Sequence, residues 1–158
     1  MSDTIKFQCD INIINVGLNG IVQKDALATL HPLGFQVLFD GNSMFKTENV
    51  TGLSQISFDI NDDKATHTLQ FVMTGKMPDH TKIDDDGNIT SDVLLTLSNL
   101  IIDDIVIDQF LTSVIEYVHD FNGSQNTTTD KFYGVMGCNG TLTLEFTTPF
   151  YLWLLENM

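Results

Sequence analysis

Residues 4–16 read Thr4-Ile5-Lys6-Phe7-Gln8-Cys9-Asp10-Ile11-Asn12-Ile13-Ile14-Asn15-Val16. Ile5, Phe7, Cys9, Ile11 and Ile13 fall on one face, and Lys6, Gln8, Asp10 and Asn12 fall on the other. That period of two belongs to a strand with one buried side. The alternation returns at Phe35, Val37 and Phe39, at Ile56, Phe58 and Ile60, and at Leu69, Phe71 and Met73. Residues 93–97 and 100–107 read as two further apolar segments, and 114–119, 131–136 and 141–147 bring the expectation to nine or ten short strands. Between the runs stand Asn19-Gly20, Asp40-Gly41, Asp86-Gly87, Asn122-Gly123 and Asn139-Gly140, dipeptides that tolerate the positive φ of tight turns. The clearest hairpin runs from Phe35–Phe39 through Asp40-Gly41-Asn42 to Met44–Thr47. Only Lys24 to Leu30 has room for a helical turn or two, and His31-Pro32 ends it.

Composition agrees with sheet. Val, Ile and Thr supply 42 of the 158 residues, and the acids are 17 Asp against four Glu. Branched side chains suit a pleated surface, and Asp favours turns over helix interiors. The expectation is one domain over residues 1–158, an all-β, antiparallel sandwich of jelly-roll type. A chain of this length needs neither disulfide nor metal to build a core.

Charge narrows the partners. Seven Lys, no Arg and 21 acids give a net charge of −14, which lacks the basic footprint of a nucleic-acid binder. Anionic membranes would repel it, and no run approaches 18 apolar residues. The start, Met1-Ser2-Asp3-Thr4, has no basic n-region, so no secretory signal is expected and Cys9 and Cys138 are read as free thiols.

Candidate chemistry is sparse. In Lys82–Asp92 the acids fall near the spacing of a twelve-residue calcium loop. Lys82 occupies the first ligand position and Val93 the last, and flanking helices are missing, so a hand-type site is rejected. A looser calcium site from Asp84, Asp86, Asn88 and Asp92 stands beside the alternative of a solvated acidic turn. Asp104 and Asp108 share strand parity with Ile102, a face for a cation or a sugar hydroxyl, or else a strand end and turn. His31, His67, His80 and His119 have no zinc spacing and read as ordinary polar or half-buried side chains. No nucleophile elbow or phosphate loop occurs, and Gly134–Gly140 reads as a bulged turn. The expectation is a non-enzymatic protein whose one candidate cofactor is calcium.

The tail is different. Phe150-Tyr151-Leu152-Trp153-Leu154-Leu155 is unbroken apolar sequence holding the only Trp. A one-sided strand would alternate, so the run implies cover on both faces, from the core or from a neighbouring subunit. Phe150, Tyr151 and Trp153 are the anchors of such a contact. Tyr117, Phe132, Tyr133 and Trp153 are the candidate platforms for a sugar ring.

Two resemblances follow from these residues. Thr66-His67-Thr68-Leu69-Gln70-Phe71, Gly87-Asn88-Ile89, Ser91-Asp92 and Asn99–Ile105 look like the second half of calcium-dependent carbohydrate-binding modules. That likeness implies a jelly roll, bound glycan, and calcium held among Asp84, Asp86, Asn88, Asp92 and Asp104. Across the chain, His119-Asp120-Phe121-Asn122-Gly123, Phe132–Gly140 and Tyr151–Met158 resemble small virion proteins of marine tailed phages, described as capsid proteins. This second likeness implies a structural role in a virion assembled in the host cytoplasm, with other virion subunits or further copies of the chain as partners. An Arg-free acidic surface suits the outside of a particle better than a lining against packaged DNA.

Overall fold

The computed structural model describes residues 3–17, 22–23, 32–121 and 123–157. The Lys24–Leu30 turn, Asn19-Gly20, His31 and Asn122 lie outside them. In chain order the described strands are β1 (Asp3–Gly17), β2 (Val22–Gln23), β3 (Gly34–Phe39), β4 (Asn42–Thr47), β5 (Ser54–Asp62), β6 (Thr66–Thr74) and β7 (Thr81–Ile83). There follow β8 (Ile89–Ile102), β9 (Ile105–Val106), β10 (Glu116–His119), β11 (Thr128–Lys131), β12 (Val135–Met136) and β13 (Gly140–Thr147). All pairings are antiparallel.

They form two sheets. One is built on β1, flanked by β8 on one side and by β5 and β2 on the other, with β7, β12 and β9 tiling the far edge of β8. The second runs β11-β10-β13-β6-β3-β4. The chain passes between the sheets from β2 to β3, from β4 to β5, and repeatedly thereafter, giving an antiparallel β-sandwich of the jelly-roll kind. Alternation decides the layers. Ile5, Phe7, Cys9 and Ile11 of β1 face Phe35, Val37 and Phe39 of β3 and Leu69, Phe71 and Met73 of β6 in one buried cluster. Phe7 reaches Phe71 across the sandwich with ring centroids 5.9 Å apart. Cys9 and Cys138 are both free thiols, and burial pushes that of Cys9 well up.

Four expectations are corrected. The segments 93–97 and 100–102 belong to one strand, β8, which carries a bulge, and the rest of the 100–107 segment turns back into β9. Ser98 pairs with Asp10 but Ile101 pairs with Gln8, so β8 spends an extra residue there, and Asn99 takes φ +49°. The extra residue switches inward parity from Val93, Leu95 and Leu97 to Leu100 and Ile102, which broke the apparent run. Asp104 does not share a strand face with Ile102 and Asp108, because Asp103 and Asp104 are the left-handed turn joining β8 to β9. Lys131–Met136 divides between β11 in one sheet and β12 in the other.

The tail is no strand. Phe150–Asn157 is a helix begun by Pro149, whose carbonyl accepts from the N–H groups of Leu152 and Trp153. Phe150 and Leu154 are buried and Trp153 packs half-buried against Phe146 and Phe150, whereas Tyr151, Leu152 and Leu155 are 54%, 47% and 64% exposed. The spacing i, i+3, i+4 therefore covers one face, and the run is not enclosed on both sides.

Candidate functional site

Strand parity puts His67 on the inward face of β6 with Leu69, Phe71 and Met73, and the ring lies buried beside Phe39 and Phe146. A buried imidazole requires partners. Nδ1 meets Asp40 Oδ2 at 2.7 Å and Nε2 meets Asp62 Oδ1 at 2.8 Å. Asp40 is fixed by the N–H of Thr68 on its other oxygen, and Thr148 Oγ1 donates to Asp62. Burial disfavours the charged ring, but the hydrogen bonds and charges of the two carboxylates outweigh it and raise the His67 pKa. Burial works the same way against ionised Asp40, and the bonds from His67 and Thr68 prevail to lower its pKa. The bridge ties the β3–β4 turn to the end of β5.

Above it lies an open cleft of about 550 Å³. The cleft is lined by Thr4 of β1, Asp62, Asp103 and Ile105 of the β8–β9 hairpin, Thr148 and Tyr151. Its surface joins the exposed face of the C-terminal helix.

A second open cleft, of about 530 Å³, lies at the outer edge of the six-stranded sheet between His119, Thr129, Asp130, Lys131 and Tyr133. The Tyr133 ring is 75% exposed. His119 Nε2 contacts Asp130 Oδ2 at 2.6 Å. Beneath, the Tyr117 hydroxyl donates to the carbonyl of Cys138 and accepts from its N–H at 3.0 Å. Burial pushes the Tyr117 phenol up to about 12. Tyr117 is thus a buried wall of the cleft, and Phe132, fully buried, packs edge to face against it. Neither is an open platform, whereas Tyr133 presents its ring to solvent.

The calcium candidates do not converge. Asp84 Oδ1 accepts from the N–H groups of Asp86 and Asn88, each at 2.9 Å, and so organises the β7–β8 turn. Asp92 sits along the strand, accepting from Lys76 Nζ at 2.6 Å and Thr81 Oγ1 at 2.8 Å. Lys76 is itself buried and also donates to the Val93 carbonyl. Asp104 is at the other end of the 14-residue β8, roughly 45 Å of extended chain away. Among the described residues no group of three or more His, Cys, Asp or Glu is placed to hold a metal ion. Asp108 instead caps the bulge, taking the N–H groups of Asn99 and Leu100.

Sequence reasoning missed the Asp40–His67–Asp62 bridge, the Lys76–Asp92 pair and the His119–Asp130 pair. For His67 a signal was present, because its parity with Leu69 and Phe71 made it a core residue in need of acceptors. For the others the partners come from separate parts of the chain, Lys76 from the loop after β6 and Asp92 from β8, His119 from β10 and Asp130 from β11, and leave no local mark.

No protein-family model and no curated protein matches the chain. Among solved structures it is similar to a vCBM60 in complex with galactobiose, at 10% identity and a TM-score of 0.41, over 85% of this chain and 96% of that one.

Proposed function

We propose that the chain is a non-enzymatic structural subunit of a phage virion, exposed on the capsid or decorating it, and joined to its neighbours through the C-terminal helix. One observation carries the reading: Tyr151, Leu152 and Leu155 form an outward apolar face on a helix whose opposite face is already packed. Surfaces of that kind are kept for protein contacts. The resemblance of the Phe132–Gly140 and Tyr151–Met158 segments to virion proteins supports it, as does an acidic surface without Arg. Assembly then takes place in the host cytoplasm. Quantitative peptide mapping of density-purified particles from the native source tests this. The chain should be present at a fixed, stoichiometric copy number, and its absence from particles sinks the reading.

A second reading rests on Tyr133. An aromatic ring open to solvent beside Thr129, Asp130 and Lys131 has the stacking face and hydrogen-bonding groups that recognise a sugar. On this reading the chain binds a surface glycan through that ring. A glycan array probed with the chain and with Tyr133→Ala, in calcium and in chelator, decides it. Signal lost in the variant supports glycan recognition, and silence in both conditions removes it.

A further inference from the structure

We propose that the cleft beside the C-terminal helix docks an arginine-bearing, apolar-anchored segment of a partner protein. The inference rests on the assembly reading and names the chemistry of the neighbour. Two carboxylates enter the cleft from separate elements, Asp62 at the end of β5 and Asp103 in the β8–β9 turn. Each spends one oxygen on the fold. Asp62 Oδ1 takes His67 and Thr148, and Asp103 Oδ1 takes the N–H of Lys6 at 2.9 Å. Their other oxygens meet no donor among the described residues, and no lysine lines the cleft. His67 is shared between Asp40 and Asp62, and with Asp103 beside them the three carboxylates leave the cleft negative in either charge state of the ring.

The walls add to this. Tyr151 offers an exposed ring, and a guanidinium stacks on an aromatic face while its planar fork takes carboxylate oxygens. Ile105 continues the apolar surface from the cleft, and Leu152 and Leu155 carry it along the helix. Aromatic and arginine groups dominate the energetics of protein interfaces, and here the chain supplies one half of that pair. It holds no Arg of its own, so the other half comes from a different chain. A second copy would bring another −14 charge and no guanidinium.

The test uses the full chain, labelled with ¹⁵N, and a blocked octapeptide Gly-Leu-Arg-Leu-Leu-Arg-Leu-Gly with Lys and citrulline analogues. Amide shifts should concentrate at Thr4, Asp103, Ile105, Thr148 and Tyr151. Affinity should fall about tenfold for Asp103→Asn and for Tyr151→Ala. The Lys analogue should bind more weakly and the citrulline analogue not at all. Asp103→Asn keeps the oxygen that accepts from Lys6 and tolerates the residue's φ of +48°, and Tyr151 is exposed, so both variants fold. Shifts spread evenly over the acidic surface, equal binding of Arg and Lys peptides, or self-association of the chain through this helix would each overturn the proposal. A peptide that fails while the chain remains in particles sinks only this inference. Particles lacking the chain sink the assembly reading and leave the peptide result standing.

Discussion

His67 shows how much one side chain sets. Its pKa is raised above the ordinary 6.5 and that of Asp40 is lowered below 3.8. A raised histidine contributes stability in full below its unfolded value and loses it as pH climbs through the folded one. A lowered aspartate contributes above its unfolded value and loses it as pH falls. The bridge therefore stabilises most between about pH 4 and 6.5. The gap in melting temperature between the native chain and His67→Gln should be widest there and shrink toward pH 9. A gap independent of pH would disprove the linkage. Gly140 is a second case. A Cβ there would stand 2.4 Å from the Val118 carbonyl and 2.9 Å from His119 Cβ, so Gly140→Ala should destabilise by roughly 1–3 kcal/mol in denaturant titration. The Asn139-Gly140 dipeptide read as a turn, yet Gly140 opens β13 opposite His119. Its glycine serves close approach of two strands, which a dipeptide rule does not see.

At the scale of elements, strands whose alternation is unbroken were legible, and β8, whose bulge reverses its parity, was not. β1, β3, β5 and β6 follow their alternation, and the Asp40-Gly41 hairpin has φ of +50° and +83° at its two turn residues. β8 broke the reading because one extra residue reverses parity. The C-terminal helix escaped it because six apolar residues in a row satisfy either period. Eight residues form no stable helix alone in water, so packing against Phe146 holds this one. Phe150→Ala should cost about 3–5 kcal/mol of unfolding free energy. Leu155→Ser, on the open face, should stay within about 0.5 kcal/mol of the native chain. Calorimetry on the two variants checks the division of the helix into a packed and an open side.

For the whole molecule, charge and long-range pairing matter most. A net charge of −14 opposes compaction, so the melting temperature should rise between 10 mM and 500 mM NaCl. With Asp104 remote from Asp84, Asp86 and Asn88, and with Asp92 engaged by Lys76, calcium and magnesium at equal millimolar concentration should raise it equally. A larger rise in calcium alone would mark a specific site. The fold class was legible because alternation is local. The clefts were not, since one gathers Thr4, Asp62, Asp103 and Tyr151 from elements far apart along the chain, and the other depends on how β10 and β11 pair to set His119 beside Asp130.

The order of synthesis gives β1 a particular history. It precedes the other described strands and is the centre of its sheet, but β8, its partner along residues 7–17, begins at Ile89. At ribosomal speeds of about 5–20 residues per second, β1 waits roughly 4–17 s for that partner. Until then a nascent chain has at most β5 and β2 to pair with one edge of β1, and the other edge stays open to neighbouring polypeptides. The outer face of β1, polar from Thr4 to Asn12, carries Lys6 and Asp10, charges of the kind that disfavour edge-to-edge pairing of two such unfinished chains on one messenger.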